Sequence, residues 1–205
     1  MTSVAAQLHP RAAASVELVA GDLFAVGVPC GSFATPGAPD PGMNIRIGGR
    51  FPTVSQRAFA MWWQLLTPLS GEAVLALSRE RGEHDAPQTL RELVTAGVLV
   101  SWHGDPEVDR PLAEQLRLLP IGLGMGSAIG TPDQCSITYG FSAGTITIGR
   151  VAYTAWAASD GRQSLWEACC RAATALRTEP REVWAAFHAA IPQLTSAGMA
   201  LLDNA

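Results

Sequence analysis

One stretch of this chain occurs twice, and that internal repeat limits the fold more than any other feature. Residues 93–100 read Leu-Val-Thr-Ala-Gly-Val-Leu-Val, and residues 194–201 read Leu-Thr-Ser-Ala-Gly-Met-Ala-Leu. Equivalent positions lie 101 residues apart, which is close to half of the 205-residue chain. Such a period predicts duplication of one small domain of about 100 residues, a common domain size.

The same order of equivalent residues continues upstream of these segments. The matched pairs are Gly31 with Gly126 at an offset of 95, Ile45 with Ile137 at 92, and Trp62 with Trp156 at 94. The offset rises to 101 only after the tryptophans, so the second copy carries about seven additional residues. We place them near residues 160–164, in the middle of the helical part.

The first copy is expected to run from strands into helices. Gly48 and Gly49 permit a tight reversal, which predicts a hairpin from Ile45 to about residue 54. From the cap candidate Ser55, aromatic residues recur every three or four positions and predict an amphipathic helix over 56–66. A second helix begins near residue 70. A third covers 86–96, where Gly97 is placed to cap it, and a strand follows.

The second copy repeats this pattern with clearer signals. Residues 135–139 and 145–149 predict a hairpin, because β-branched residues alternate along its second strand. A helix over 150–159 follows, and Ser164 with Glu167 forms the capping-box pattern that opens the next helix. The last helix is predicted over 181–197, with Pro192 expected to bend or interrupt it, and a strand closes the copy.

The second copy resembles the peptide-binding domain of pyrroloquinoline-quinone biosynthesis chaperones. This winged-helix module is the recognition element of ribosomally made, modified peptides. The resemblance covers residues 135–203 well and 44–102 weakly. It lies in the following residues: Ile146, Ile148, Trp156, Asp160, Gly161, Ser164, Leu165, Glu167, Ala168, Leu194, Ala197, Gly198 and Met199.

The resemblance implies an α+β protein of two tandem winged-helix-like domains. Each would contain a β-hairpin, three helices and a short terminal strand. We expect a flexible lead-in over 1–20, a first domain over 21–104 and a second over 112–205, divided near the charged stretch 103–110.

In the family, a leader peptide adds as a strand to the hairpin edge and lies against the third helix. The resemblance therefore implies a noncatalytic protein that binds a precursor peptide and presents it to a modifying enzyme. The sequence is compatible with a monomer and with a homodimer. The implied peptide-binding residues are Thr145, Ile146, Thr147 and Ile148 on the strand, with Val183, Trp184 and Phe187 on the helix. Trp184 and Phe187 also fit plain core positions, and His188 has no evident metal or nucleophile partner in the sequence.

A DNA-binding regulator with tandem winged helices is the alternative function. The third helix of the first copy would then enter the major groove, with the hairpin as a wing. The candidate contacts are Arg46, Arg50 and Arg57 to phosphates, and Gln88 and Arg91 to bases. The formal net charge of −4 weighs against this interpretation, because DNA binding depends on neutralising phosphates.

Catalysis is the least supported class of function, and we expect no enzyme, metal or cofactor. The stretch 122–127 is rich in glycine, but no Gly-Lys-Ser/Thr follows it, so we interpret it as a turn and interdomain connection. The four cysteines lack a CxxC spacing, which favours free or buried thiols. Without a signal peptide or a long apolar run in the sequence, we expect a cytoplasmic protein away from the membrane.

Overall fold

The computed structural model describes residues 21–32, 42–127, 130–139 and 143–205. The lead-in expected over 1–20 lies outside the described residues. Within them, helices are combined with small antiparallel sheets, so the expected α+β class is confirmed.

The first half begins with strands and ends with helices and a strand. Its elements are β1 (Asp22–Ala25), β2 (Val28–Gly31), β3 (Met43–Arg46), β4 (Thr53–Val54), α1 (Gln56–Gln64), α2 (Gly71–Glu80), α3 (Ala86–Ala96) and β5 (Leu99–Trp102). A short helix, α4 (Arg110–Gln115), leads into the second half.

The second half has the same order of elements. They are β6 (Leu116–Pro120), β7 (Leu123–Ser127), β8 (Gln134–Tyr139), β9 (Ala143–Gly149), α5 (Arg150–Ala158), α6 (Leu165–Leu176), α7 (Pro180–Ser196) and β10 (Ala200–Asn204). Strand pairing is equivalent too. The first strand pairs with the last in each half, β1 with β5 and β6 with β10, while β2–β3–β4 and β7–β8–β9 form three-stranded sheets.

Each three-stranded sheet contains one strand more than the predicted hairpin. The turn and connection predicted over 122–127 is wrong for most of this stretch, because Leu123–Ser127 forms β7 and pairs with β8. Its glycines permit close packing, as a Cβ on Gly122 would lie 2.5 Å from Ile137. Gly27 has the same relation to Ile45, also at 2.5 Å, which supports the equivalence of the two copies.

Local capping signals set the helix ends. The side chains of Ser55 and Ser70 accept hydrogen bonds from the first turns of α1 and α2, and the capping box at Ser164 is present. Gly97 ends α3 in the left-handed conformation at φ 70°. Of the two outcomes expected at Pro192, interruption is excluded, because α7 continues through it. A buried helix tolerates the lost backbone bond when packing holds it on several sides.

The ribbon formed by β1 and β5 separates two hydrophobic cores. Leu23 and Ala25 belong to the core of the first half, which also contains Trp62. Between them in sequence, Phe24 points the other way and joins Trp102 in the core of the second half. Because successive strand residues face opposite sides, one ribbon serves both cores.

The ribbon formed by β6 and β10 has the mirrored arrangement. Leu118 and Leu202 are opposite each other and belong to the core of the second half. Leu201 belongs to the core of the first half, and its partner Leu119 packs against that core. The two halves therefore share their buried surface through both ribbons.

A buried carboxylate also joins the halves. Asp203 is inaccessible to solvent and accepts a hydrogen bond from the Gly48 backbone N–H at 2.7 Å. Its other oxygen lies 2.7 Å from Arg117 and 3.4 Å from Arg46. Gly48 and Arg46 belong to the first half, so this cluster crosses the boundary between the two copies.

Candidate functional site

A groove of about 900 Å³ lies between β9 and α7, and we call it the second groove. Thr147, Ile148 and Gly149 line it on the strand side. The helix contributes Glu182, Ala186, Ala189, Ala190 and Gln193. The ends of α5 and α6 complete the lining, so this groove is bounded by all three helices of the second half.

Strand β9 is the edge of its sheet, because among the described residues it pairs with β8 alone. Ile148 is buried and Ile146 is half-buried, while Thr145 and Thr147 are exposed on the opposite face. The predicted alternation along this strand is therefore present. Backbone groups on the outer side of an edge strand are available to a further strand.

The helix wall of this groove differs from the prediction. Val183, Trp184 and Phe187 are at most 1% exposed and lie in the core of the second half. The Trp184 indole N–H donates to the Pro106 carbonyl at 2.7 Å, which fixes the ring. These three side chains do not line the groove. The structure supports the interpretation of Trp184 and Phe187 as plain core residues, and Val183 is a core residue as well.

The groove is lined mainly by small side chains. Ala152, Ala175, Ala186, Ala189 and Ala190 leave space that larger residues would fill. The charged residues of the lining are Asp133, Arg150 and Glu182. The Glu182 carboxylate accepts a hydrogen bond from the Thr178 hydroxyl. An apolar lining with few charges suits apolar side chains of a guest molecule.

An equivalent groove of about 900 Å³, the first groove, lies between β4 and α3. Polar and charged side chains dominate its lining, among them Gln88, Arg91 and Glu92. The Glu92 carboxylate accepts hydrogen bonds from the Ser55 backbone N–H at 2.5 Å and from the Ser55 hydroxyl at 3.0 Å. This contact ties α3 to the end of β4 and engages the Glu92 carboxylate within the chain.

The side chains proposed as DNA contacts have mixed surroundings. Arg46 pairs with buried Asp203, and Arg57 pairs with exposed Asp85 at 2.8 Å. Arg91 donates to the backbone carbonyl of Pro87 at 3.2 Å. Arg50 and Gln88 are exposed. Two of the three proposed phosphate contacts thus have an acidic partner within the chain.

His188 has a partner that the sequence did not indicate. Its ring Nε2 lies 2.9 Å from the buried carboxylate of Asp109, and His103 Nδ1 lies 2.8 Å from the same group. Trp102 stacks on the His188 ring, with 4.2 Å between centroids. Because a carboxylate can only accept hydrogen bonds, His188 Nε2 and His103 Nδ1 each carry the proton of their bond to Asp109. This cluster holds the connection between the halves against α7.

Burial by itself raises the pKa of Asp109, but hydrogen bonds from His188 and His103 lower it by more. The pKa of this carboxyl therefore lies below its ordinary value of 3.8. Asp109 and His188 are 79 residues apart, and neither sits in a recognisable motif. No local pattern could have indicated their contact.

No group of three or more His, Cys, Asp or Glu side chains in the described ranges could hold a metal ion. The described cysteines are free thiols, and burial raises the pKa of Cys169 to about 12. None of the described helices combines the length and apolar character needed to cross a bilayer. Comparison with protein families, curated proteins and solved structures gave no match.

Proposed function

We propose that this protein is a noncatalytic binding protein that captures an extended peptide in the second groove. The observation that carries the proposal is the free edge of β9 beside the small-residue face of α7. The guest adds to β9 as a further strand. Main-chain hydrogen bonds supply affinity in this mode, and side-chain pockets supply specificity.

The lining of the groove defines the kind of guest. An added strand directs alternate side chains to opposite faces, so every second residue of the guest enters the groove. Ala186 and Ala189 contribute little volume there, which favours guests with large apolar side chains at those positions. Guest residues of the other set remain exposed to a partner enzyme.

The finer assignment of fold and role rests on the family resemblance. We propose that each half is a winged-helix-like domain, with the three-stranded sheet as its wing region. The shared order of sheet, three helices and closing strand supports this assignment. The guest would then be a precursor peptide that the protein presents to a modifying enzyme. DNA binding has less support, since Arg46 and Arg57 are paired with Asp203 and Asp85.

Selection from a displayed library of random peptides of about ten residues, the length of a long strand, provides a probe. Hydrogen exchange is then measured with and without the selected peptide. We expect slower exchange at those amides of residues 144–149 that face away from β8, because the guest adds hydrogen bonds to them. An unchanged exchange rate along β9 with bound peptide would contradict the proposal.

Substitution of two neighbouring alanines tests the helix wall. Ala189→Leu places a larger side chain in the groove. We expect peptide binding to weaken about tenfold, because the introduced leucine occupies the space that a guest side chain would fill. Ala185→Leu is the matched control, because Ala185 is exposed on the same helix outside the groove lining. Equal affinities for the two variants would place the peptide elsewhere.

The same protein sample tests the alternative function, DNA binding. Fluorescence anisotropy with a labelled duplex is expected to give no saturable binding at moderate salt. Affinity that falls steeply with salt, and that drops when Arg91 is replaced by Ala, would support the regulator instead.

A further inference from the structure

A second cavity, of about 510 Å³, lies at the seam between the two halves, and we call it the seam cavity. The first half contributes Pro29, Trp63, Leu66 and Thr67. The second half contributes Ile121, Tyr139, Thr195, Ser196, Ala197, Gly198 and Leu201. The volume lies within the range of small-molecule sites, which are often found where domains meet.

No described residue of the lining carries a charge. Two hydroxyls of the lining already have partners, because buried Thr195 donates to the Leu66 carbonyl and Ser196 donates to the Gln193 carbonyl at 3.2 Å. A charged group entering the cavity would lose water without gaining an opposite charge. Charge complementarity therefore selects an uncharged occupant.

Large apolar side chains are exposed around the opening. Trp63 is 54% exposed, Tyr139 51% and Ile121 44%. The two aromatic rings stand on different halves, whereas the base is formed by buried Leu66 and Leu201. Exposed aromatic rings above an apolar base favour a planar apolar group that covers their faces.

The strand residues of this cavity do not suit an added peptide strand. Pro29 has no backbone N–H, Tyr139 lies on the central strand β8, and Leu201 lies on β10, which is paired with β6. In the described part of the chain β2 and β10 each pair with one strand, but the missing N–H of Pro29 and the bond from the Gly27 N–H to the Leu202 carbonyl, at 2.7 Å, limit what a further strand could bind. The lining thus favours a small molecule over an extended chain.

We propose that the seam cavity binds an uncharged small molecule built around a planar ring system. This site is separate from the second groove, because the two linings share no residue. It does not depend on peptide binding and stands if that proposal fails.

Nile red, an uncharged planar dye, serves as the probe in a fluorescence titration of the full chain. We expect saturable binding of one dye per chain, with an emission shift to shorter wavelength. Trp63→Ala should weaken binding about tenfold, because it removes one of the two aromatic rings at the opening. Phe51→Ala is the matched control, because Phe51 is 55% exposed outside the cavity.

Ser196→Arg keeps the test decisive if Trp63→Ala impairs folding. Ser196 is exposed on the last turn of α7, where a positive charge suits the helix terminus, so the fold is expected to persist. The added guanidinium should abolish dye binding by occupying and charging the cavity. Binding that is not saturable, that is equal in all variants, or that survives Ser196→Arg would overturn the proposal.

Discussion

The first and second grooves lie at equivalent places in the two halves, yet a carboxylate joins the helix to the end of the strand in the first, where the second has glutamine and glycine. In the first groove, Glu92 binds both the backbone and the hydroxyl of Ser55. In the second groove, Gln193 and Gly149 occupy the corresponding positions. The edge strands differ as well, since β4 has two residues and β9 has seven. The two halves thus share a framework, and the longer edge strand lies in the second half.

The largest expected effect concerns the contact that joins the two halves. Asp203→Ala removes the partner of Arg46, Arg117 and the Gly48 N–H, and should lower the free energy of unfolding by about 2–3 kcal/mol. Asp85→Ala, which breaks the exposed pair with Arg57, should change it by less than about 0.5 kcal/mol. Urea denaturation measures both. Equal losses would mean that the halves do not depend on this buried carboxylate.

The connection between the halves should respond to pH. Because the folded pKa of Asp109 is lowered, its stabilising effect is fully present above the unfolded value of 3.8 and is lost as pH falls through the folded value. At neutral pH, Asp109→Asn should reduce the free energy of unfolding by about 2 kcal/mol, as expected for hydrogen bonds to a charged group. The difference from the unaltered protein, measured by urea unfolding from pH 5 to 3, should shrink. A difference that stays constant would contradict this assignment.

Exchanging the groove residues tests the comparison directly. Gln193→Glu places a carboxylate where the first groove has Glu92, and should reduce affinity for the selected peptide about tenfold by putting a charge beside the end of β9. Glu92→Gln serves as the control and should leave that affinity unchanged. Isothermal titration calorimetry gives both values. If Glu92→Gln weakens binding instead, the peptide occupies the first groove.

The smallest expected effect on stability is the difference between the equivalent tryptophans, Trp62 and Trp156. The Trp62 indole N–H donates to the Val26 carbonyl at 3.1 Å, whereas the buried Trp156 indole N–H has no partner in the described part of the chain. Trp62→Phe should therefore lower the free energy of unfolding by about 1 kcal/mol more than Trp156→Phe does, because one hydrogen bond contributes about that much. Chemical denaturation of the two variants provides the measurement, and a larger cost for Trp156→Phe would refute the comparison.

The features that the sequence predicted well depend on neighbouring residues. Ser55, Ser164 and Gly97 mark helix ends, because capping involves residues within one turn. The repeat itself was visible from spacing alone. Strand β7 was missed because its glycines lower the strand signal, although they allow Gly124 to pack closely against Tyr153 and Trp156.

The groove and the Asp109 cluster required knowledge of tertiary packing. On α7 the large apolar residues mark the face that packs in the core, so periodicity pointed to Trp184 and Phe187. The accessible face consists of alanines such as Ala189, which carry little pattern of their own. A pattern of hydrophobic residues locates what a helix buries, and a binding surface has to be inferred from what remains exposed.

The two-sided ribbons also bear on how a protein of this kind could arise. In a single copy of the unit, side chains such as Phe24 and Leu201 would face water, since each one belongs to the core of the other half. Two copies of one ancestral unit, associated face to face, would bury both sets. The alternation therefore makes the halves depend on each other, because removal of either one would expose the apolar side chains that the other contributes to its core.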